Sequence, residues 1–210
     1  MPRTVTPLGQ GLRERKKLKT KESIQREAMR LFQDQGYDET TIEQIAAAAE
    51  ISPSTFFNYF PTKEDVVIFD RYDPIVASLI SAIPADEPLS RTIELALDQL
   101  ASAVERDRSI ILARAKLGLE VPALRARFWE ELEKAQNLFA GIISQRTGHH
   151  PFEFDVRVLS MVLVTASFEA SVEWIRRDGK GDMFQLVKQA LGVSGVLERL
   201  DALGQATPDS

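Results

Sequence analysis

The sequence contains no cysteine and only two histidines, which are adjacent at positions 149 and 150. The absence of cysteine excludes disulfides, a thiolate nucleophile and every zinc site that uses sulfur. The side chains of two adjacent residues point in different directions, so these two histidines are poorly placed to bind one metal ion or to act together in catalysis. We therefore expect no metal, no other cofactor and no enzymatic activity.

Long hydrophobic runs are also missing. The longest apolar stretch, residues 158–168, is interrupted by three hydroxyl side chains. It is shorter than the about 20 residues that a membrane-spanning helix needs. The basic residues near the N-terminus are followed by no apolar segment of the kind found in secretory signals. We therefore predict a cytoplasmic protein that has no membrane partner.

The charge distribution is uneven. The 210 residues are 44% hydrophobic and 27% charged, which is an ordinary globular composition that allows one large or two small domains. Residues 1–31 contain nine Lys or Arg and three Glu, a balance of +6, whereas the remainder has a balance of −11. A basic end on an acidic body is typical of proteins that bind a polyanion, although a solvated tail would have the same composition.

The hydrophobic pattern is helical along the whole chain, and no stretch alternates with period two. We expect disordered tails at 1–12 and 204–210, a domain at 13–80 and a second domain at 81–203. The predicted helices lie near 15–35, 41–49, 53–60, 62–80, 88–107, 109–118, 122–146, 152–177, 183–191 and 194–203.

Short helices with clear start signals dominate the first domain. Three of them begin at a residue that can cap a helix, and a second residue that favours a helix start follows one or three positions later. These pairs are Thr41 with Gln44, Ser52 with Pro53, and Thr62 with Asp65. A tight turn between the second and third helices indicates a helix-turn-helix unit at about 43–62.

The third helix carries two aromatic residues four positions apart, Phe56 and Phe60, which we expect to anchor it in a three-helix core. Its other face should present short polar groups and one ring, which suit contacts with base edges in a DNA major groove. These residues are Ser54, Thr55, Phe57 and Asn58. The side chains expected to reach phosphates are Lys17, Thr40, Thr41, Tyr59 and Lys63.

Two runs carry a specific resemblance. Residues 32–46 (FQDQGYDETTIEQIA) and 51–64 (ISPSTFFNYFPTKE) resemble the N-terminal domain of the TetR family of bacterial repressors. The family often has Tyr at the position of Phe57, so this sequence lacks one hydroxyl that could bond a phosphate. The resemblance covers about residues 20–80. It implies an all-α protein with an N-terminal helix-turn-helix DNA-binding domain and a larger C-terminal helical domain for ligand binding and dimerisation.

The second half resembles one TetR subgroup, in which the C-terminal domain is of the acyl-CoA-like ligand-binding type found in mycofactocin regulators. The matching features are residues 121–127 (VPALRAR), a long helix, and Trp174 before a glycine-containing loop. An apolar site is predicted from Leu112, Phe128, Leu132, Phe139 and Phe168. An arginine would meet an anionic head group, namely Arg114, Arg125 or Arg127. The alternative is that the apolar residues only fill the core.

The helix predicted near 152–177 is apolar on two faces, so each face must pack against another part of the protein to be removed from water. One cover is its own domain, and the other is expected to be a second subunit. Small residues on the first stripe would allow close approach. We therefore predict a dimer interface at Leu163, Ala166, Ala170 and Trp174.

Together these features predict a ligand-responsive transcriptional regulator, most readily a repressor. It would bind a near-palindromic operator as a homodimer and be released by a small apolar or amphipathic effector. The alternative is a helical small-molecule or acyl-binding protein without specific DNA binding.

Overall fold

The computed structural model describes residues 11–205, apart from the side chains of Asp73, Pro74, Ala77, Ala103 and Phe128. Over that range the chain forms eleven helices and no strand, which confirms the all-α prediction. The helices are α1 (Leu12–Gln35), α2 (Ile42–Ala48), α3 (Pro53–Tyr59), α4 (Lys63–Ile68), α5 (Asp73–Ala82), α6 (Leu89–Glu105), α7 (Arg108–Glu120), α8 (Pro122–Thr147), α9 (Phe154–Arg176), α10 (Met183–Ser194) and α11 (Val196–Gln205).

The two ends of the described chain are helical further out than expected. Helix α1 already begins at Leu12, and α11 continues to Gln205, so the predicted tails are too long at these positions. The rest of the predicted tails, residues 1–10 and 206–210, lies outside the described residues.

The chain forms two compact units. The N-terminal unit comprises the chain up to Tyr72 together with Ser109–Ala126, and the C-terminal unit comprises Asp73–Arg108 and the chain from Arg127 onward. The expected division at residue 80 differs from this one, because α7 and the first turn of α8 belong to the N-terminal unit. Their apolar side chains pack against its core: Ile110, Ala113, Leu117, Val121 and Leu124.

The helix predicted over 62–80 is two helices. Helix α4 ends before Phe69, whose ψ of 115° is incompatible with a continuing helix. The Asp70 carboxylate then accepts a hydrogen bond from the Tyr72 amide at 2.7 Å, which stabilises the turn that leads into α5. The predicted helix is therefore interrupted at residues 69–72.

The core of the N-terminal unit holds the third helix in place. Phe56 and Phe60 are 0% and 2% exposed, with ring centroids 6.1 Å apart, so the predicted anchors are confirmed. They pack in one cluster with the buried side of α1, including Ile24, Ala28 and Phe32. Burying each phenylalanine side chain contributes roughly 1.5–3 kcal/mol, which is large for a helix of seven residues.

All three predicted helix starts are confirmed. Thr41 accepts a hydrogen bond from the Gln44 amide at 3.2 Å, and the Gln44 side chain accepts one from the Thr41 amide at 2.9 Å. Thr62 forms the same reciprocal pair with Asp65. The Ser52 hydroxyl caps α3, and Pro53 occupies its first turn. Because helices of six or seven residues are marginal in isolation, these caps set where each one begins.

The C-terminal unit is built around α9. This helix packs against α10 and α11, and α6 packs against α5, α10 and α11. The buried side of α9 is the stripe that we assigned to a partner subunit: Leu163, Ala170 and Trp174 are 2%, 5% and 2% exposed within one chain. That assignment is wrong for these three residues, because their side chains already pack inside the subunit. Ala166 is half-buried.

Among the described residues, α9 alone is long and apolar enough to cross a membrane by length and composition. A core helix of a globular protein has the same properties, and the side of α9 around Leu163 packs in the core of the C-terminal unit.

Candidate nucleic-acid interface

Helix α3 presents one polar face outward from the N-terminal unit. Ser54 and Asn58 are exposed, and the Phe57 ring is 52% exposed while its edge rests on Phe56, with centroids 5.7 Å apart. Thr55 and Tyr59 are half-buried, and Tyr59 packs partly against the core. A short rigid helix with exposed hydroxyl, amide and aromatic groups has the form needed to enter a major groove.

The Ser52 hydroxyl orients the other hydroxyls of this face. Its oxygen lies 2.8 Å from both Ser54 Oγ and Thr55 Oγ1, and it accepts a hydrogen bond from the Thr55 amide at 3.1 Å. A serine hydroxyl has one proton and two lone pairs, so Ser52 donates to one of these hydroxyls and accepts from the other. The sequence pattern predicted only the capping role of Ser52. The sequence signal for this hydroxyl network is the presence of three hydroxyl residues, Ser52, Ser54 and Thr55, within four positions.

Thr40 does not belong to the exposed surface. Its side chain is 1% exposed, donates to the Gly36 carbonyl at 2.7 Å and accepts from Gln35 Nε2 at 3.2 Å. The predicted phosphate contact by Thr40 is therefore wrong, because its hydroxyl stabilises the turn after α1. The neighbouring Thr41 is exposed at the start of α2, as expected for a group that could meet a phosphate.

Lys63 is directed inward as well. Its Nζ donates to the carbonyls of Tyr37 and Thr40, at 2.9 and 3.4 Å, and lies 4.3 Å from the centroid of the Tyr37 ring. Two of its three donors are thus engaged within the N-terminal unit, and a contact of the third with a phosphate stays a prediction. Lys63 holds the α1–α2 loop against α4.

A tyrosine–glutamate pair supports the same loop. The Tyr37 hydroxyl donates to Glu64 Oε1 at 2.8 Å. Burial, followed by this bond and the charge of Glu64, raises the pKa of Tyr37 well above its ordinary value. Burial alone would raise the pKa of Glu64, but hydrogen bonds, the largest from Tyr37, lower it overall. The pair is therefore a neutral phenol bound to a carboxylate, a structural contact that needs no titration near neutral pH.

Part of the basic N-terminal end of the sequence forms the first turns of α1. Residues 11–17 are all exposed, and the first buried residue of α1 is Ile24. At 1.5 Å per residue, the segment from Leu12 to Ile24 extends about 18 Å. It displays a concentrated set of cations: Arg13, Arg15, Lys16, Lys17 and Lys19.

The predicted ligand-binding residues lie in both units. Leu112 and Arg114 belong to the N-terminal unit, whereas Leu132, Phe139 and Phe168 belong to the C-terminal unit and are half-buried. Phe139 packs against the core of the latter unit. The side chain of Phe128 lies outside the described part of the structure.

Arg114 makes contacts that differ from those predicted. Its guanidinium donates to the carbonyls of Val67 and Ile68, at 2.7 and 3.0 Å, and is 14% exposed. An arginine bonded in this way is not displayed as a free partner for an anionic head group. The prediction that Arg114 binds such a group is therefore replaced by a role at the end of α4.

The two histidines precede α9, whose N-cap residue is Glu153. His149 Nδ1 lies 2.8 Å from Glu153, whose other carboxylate oxygen accepts from the His150 amide at 2.5 Å. The bond from the His150 amide, followed by that from His149, lowers the pKa of Glu153. Within the described residues, no group of three or more His, Cys, Asp or Glu side chains could hold a metal.

Comparison with known families decides the identity of the fold. Residues 24–68 match the model of the bacterial regulatory proteins of the tetR family, and residues 87–195 match the MftR C-terminal domain. The chain belongs to the TetR family. The second match confirms the subgroup resemblance of its C-terminal half, and the first covers the helix-turn-helix described above.

Individual relatives in the TetR family are transcriptional regulators. The chain is 32% identical over 181 residues to the HTH-type transcriptional regulator TcmR of Streptomyces glaucescens, covering 82% of this chain and 80% of that protein. It is 23% identical over 177 residues to the fatty acid metabolism regulator protein of Bacillus subtilis, covering 80% and 91%. The solved structure of Thermus thermophilus FadR, a TetR family repressor in complex with lauroyl-CoA, matches with a TM-score of 0.56, 26% identity, and coverage of 90% and 97%.

Two lysines of this family member should respond differently to the same substitution. Lys63→Met should lower the free energy of unfolding by about 1–2 kcal/mol, because two carbonyls are deprived of a charged donor at a partly exposed site. Lys17→Met should leave stability within about 0.5 kcal/mol, because Lys17 is exposed. Thermal and denaturant unfolding measure both. Equal stability of the two variants would contradict the inward role of Lys63.

Proposed function

We propose that the protein is a homodimeric transcriptional repressor that binds a near-palindromic operator and is released by a small amphipathic effector. The observation that carries the DNA-binding part is the polar face of α3, which the buried Phe56 and Phe60 hold against the core. In this proposal Ser54, Thr55, Phe57 and Asn58 meet base edges or the sugars beside them. Because DNA lies in the bacterial cytoplasm, that is where the protein acts.

The arm formed by the first turns of α1 supplies phosphate contacts in this proposal. Its cations are exposed, and its lysines and arginines outnumber its one acidic residue, Glu14. Each phosphate neutralised releases condensed counterions, so binding should weaken steeply with salt. Together with Thr41 at the start of α2, Lys17 belongs to this positioning set, which fixes register on the duplex without reading sequence.

Operator preference tests the DNA-binding proposal. We expect genomic fragments recovered with the full-length protein to share a two-fold symmetric site. Asn58→Ala should then reduce discrimination between that site and random DNA by about 1–3 kcal/mol, the value of one good base contact. Gln145→Ala, which removes an exposed amide from α8, is the control. If the wild-type protein prefers no fragment, the alternative of a helical binding protein without specific DNA recognition is favoured.

Lys17→Met extends that measurement to the phosphate contacts. The variant should bind operator and random DNA more weakly by the same factor, because a phosphate carries no sequence information. The slope of log affinity against log salt should become shallower by about 0.9 for every phosphate that the lysine neutralises in the wild-type complex. An unchanged slope would show that Lys17 does not meet the DNA backbone.

The proposed dimer uses the outward side of α9 and α10. On α9, Val158 is 41% exposed and Thr165 is also exposed on the same face, while the opposite side is buried in the subunit. On α10, Val193 is 85% exposed and the adjacent Gly192 carries no side chain. The two helices pack against each other, so their outward sides can form half of an intermolecular bundle, the arrangement that the family implies.

Val193→Asp should convert the dimer to a monomer. In a two-fold interface the substitution buries two unpaired charges, one from each subunit, which is strongly unfavourable. Sedimentation velocity measures the change, and circular dichroism should show an unchanged fold because Val193 is exposed in the single chain. Ala202→Asp on an exposed position of α11 is the matched control. A Val193→Asp variant that remains dimeric would place the interface elsewhere.

The proposed effector is a long-chain acyl thioester. The support is the match to the MftR C-terminal domain, the fatty acid metabolism regulator among the relatives, and the lauroyl-CoA complex of the Thermus repressor. The half-buried Leu132, Phe139 and Phe168 supply apolar surface in the C-terminal unit. Arg127 belongs to the same unit as these apolar residues and is the candidate for the anionic head group, for which it would exchange its ion pair with Glu130. Arg125, the other arginine predicted for this role, belongs to the N-terminal unit.

Calorimetry with an acyl-CoA series tests this assignment. We expect affinity to rise with chain length, as apolar burial does, and to fall when operator DNA is present. Linkage requires the operator to weaken acyl-CoA binding by the same factor by which acyl-CoA weakens operator binding. Equal affinities with and without operator, or no binding at any chain length, would remove acyl-CoA as the effector while leaving the DNA-binding proposal intact.

A further inference from the structure

The carboxyl end of α4 is held by side chains from two other helices. A helix leaves its last carbonyls without partners in the helix, and here four consecutive carbonyls, those of residues 66–69, receive side-chain donors. Gln25 Nε2 of α1 donates to the carbonyls of Val66 and Phe69, both at 2.8 Å. Arg114 of α7 donates to the two between them, Val67 and Ile68, at 2.7 and 3.0 Å.

Burial and charge make this arrangement strong. Gln25 is 7% exposed and the Arg114 side chain 14% exposed, so water does not compete freely for the carbonyls. The end of a helix where carbonyls are exposed carries partial negative charge, which favours a cationic donor. Asp70, 3.8 Å from the guanidinium, adds an opposite charge on the same side. Arginine can serve two acceptors at once because its donors are fixed in one plane.

Apolar packing joins the same helices. Ile110, Ala113 and Leu117 of α7 contact the core that contains Phe56 and Phe60, the anchors of α3. Helix α7 is thus attached to the core of the N-terminal unit by packing and to α4 by Arg114. This attachment is not obvious from chain order, because α6 before it and most of α8 after it belong to the C-terminal unit.

We infer that Arg114 and Gln25 are positioning residues that fix the end of α4 and make α7 part of the DNA-binding body. A displacement of α7 is then expected to reach the end of α4 through Arg114, and α3 through the core against which both helices pack. The chain passes between the two units at residues 72/73, 108/109 and 126/127, so α7 enters and leaves the N-terminal unit at the last two of these passages. The inference concerns the N-terminal unit and does not depend on which effector binds.

Distances between paired spin labels test whether α1 and α7 form one body. Because the native chain has no cysteine, Gln33→Cys on α1 and Glu120→Cys on α7 create the only two thiols, both at exposed positions. Labelled full-length protein is diluted with unlabelled protein so that each dimer carries one labelled subunit. Distances are measured by double electron–electron resonance in three samples. These are the free protein, the protein with an operator duplex recovered from genomic selection, and the protein with lauroyl-CoA.

We expect a single narrow distance that is the same in all three samples. Arg114→Lys keeps the charge but removes the planar pair of donors, and Gln25→Leu removes the amide donor at similar size. Each should broaden the distribution in the free protein and reduce operator affinity roughly 2- to 30-fold, the range over which coupling residues act. Arg199→Met, at an exposed position of α11, should change neither quantity.

Two results would overturn the inference. A wild-type distance that shifts when operator or lauroyl-CoA is added would show that α7 moves relative to α1. The second result concerns the variants at Arg114 and Gln25. If thermal melting shows that they fold and their distance distribution stays as narrow as that of the wild type, these two side chains do not fix α7 to α4. The measurement on free protein needs no ligand, so it separates failure of this inference from failure of the proposed function.

Discussion

The packing of one short helix, α3, against the core is the interaction on which the N-terminal unit depends. A seven-residue helix has no independent stability, so the position of α3 is determined by what holds it. Phe56 and Phe60 fix one side of it in the core, and the Ser52 cap sets its first turn. The remaining side is thereby left for polar groups. The same burial that stabilises the helix thus determines which of its residues can contact DNA.

Some polar side chains in this protein bond to groups within the fold, and others are exposed to solvent. The residue type alone does not show to which of these two groups a side chain belongs. Thr40, Lys63 and Arg114 were expected to meet phosphates or an anionic head group, yet each one satisfies backbone carbonyls near a helix end. Helix ends leave several such groups without partners, and leaving them buried and unbonded is costly. The N-terminal unit contains three helices of six or seven residues, so many such ends lie close together in it.

Local sequence signals predicted the parts of the fold that local interactions determine. The caps at Thr41, Ser52 and Thr62 and the anchors of α3 needed only nearest neighbours, and all are present. The break after α4 and the membership of α7 depend on contacts between residues more than 40 positions apart, such as Arg114 with Val67. The outward face of α9 was assigned to the wrong stripe because both stripes are apolar, and only packing within the subunit distinguishes them.

The end of α4 shows how one unit is assembled from distant parts of the chain. Gln25 of α1 and Arg114 of α7 supply donors to four consecutive carbonyls there, although two helices of the C-terminal unit separate α7 from α4 in the sequence. Donors from two other helices restrict the position of α4 more than a cap from its own segment would. Because α4 follows α3 after only three residues, the same donors also limit where α3 can lie.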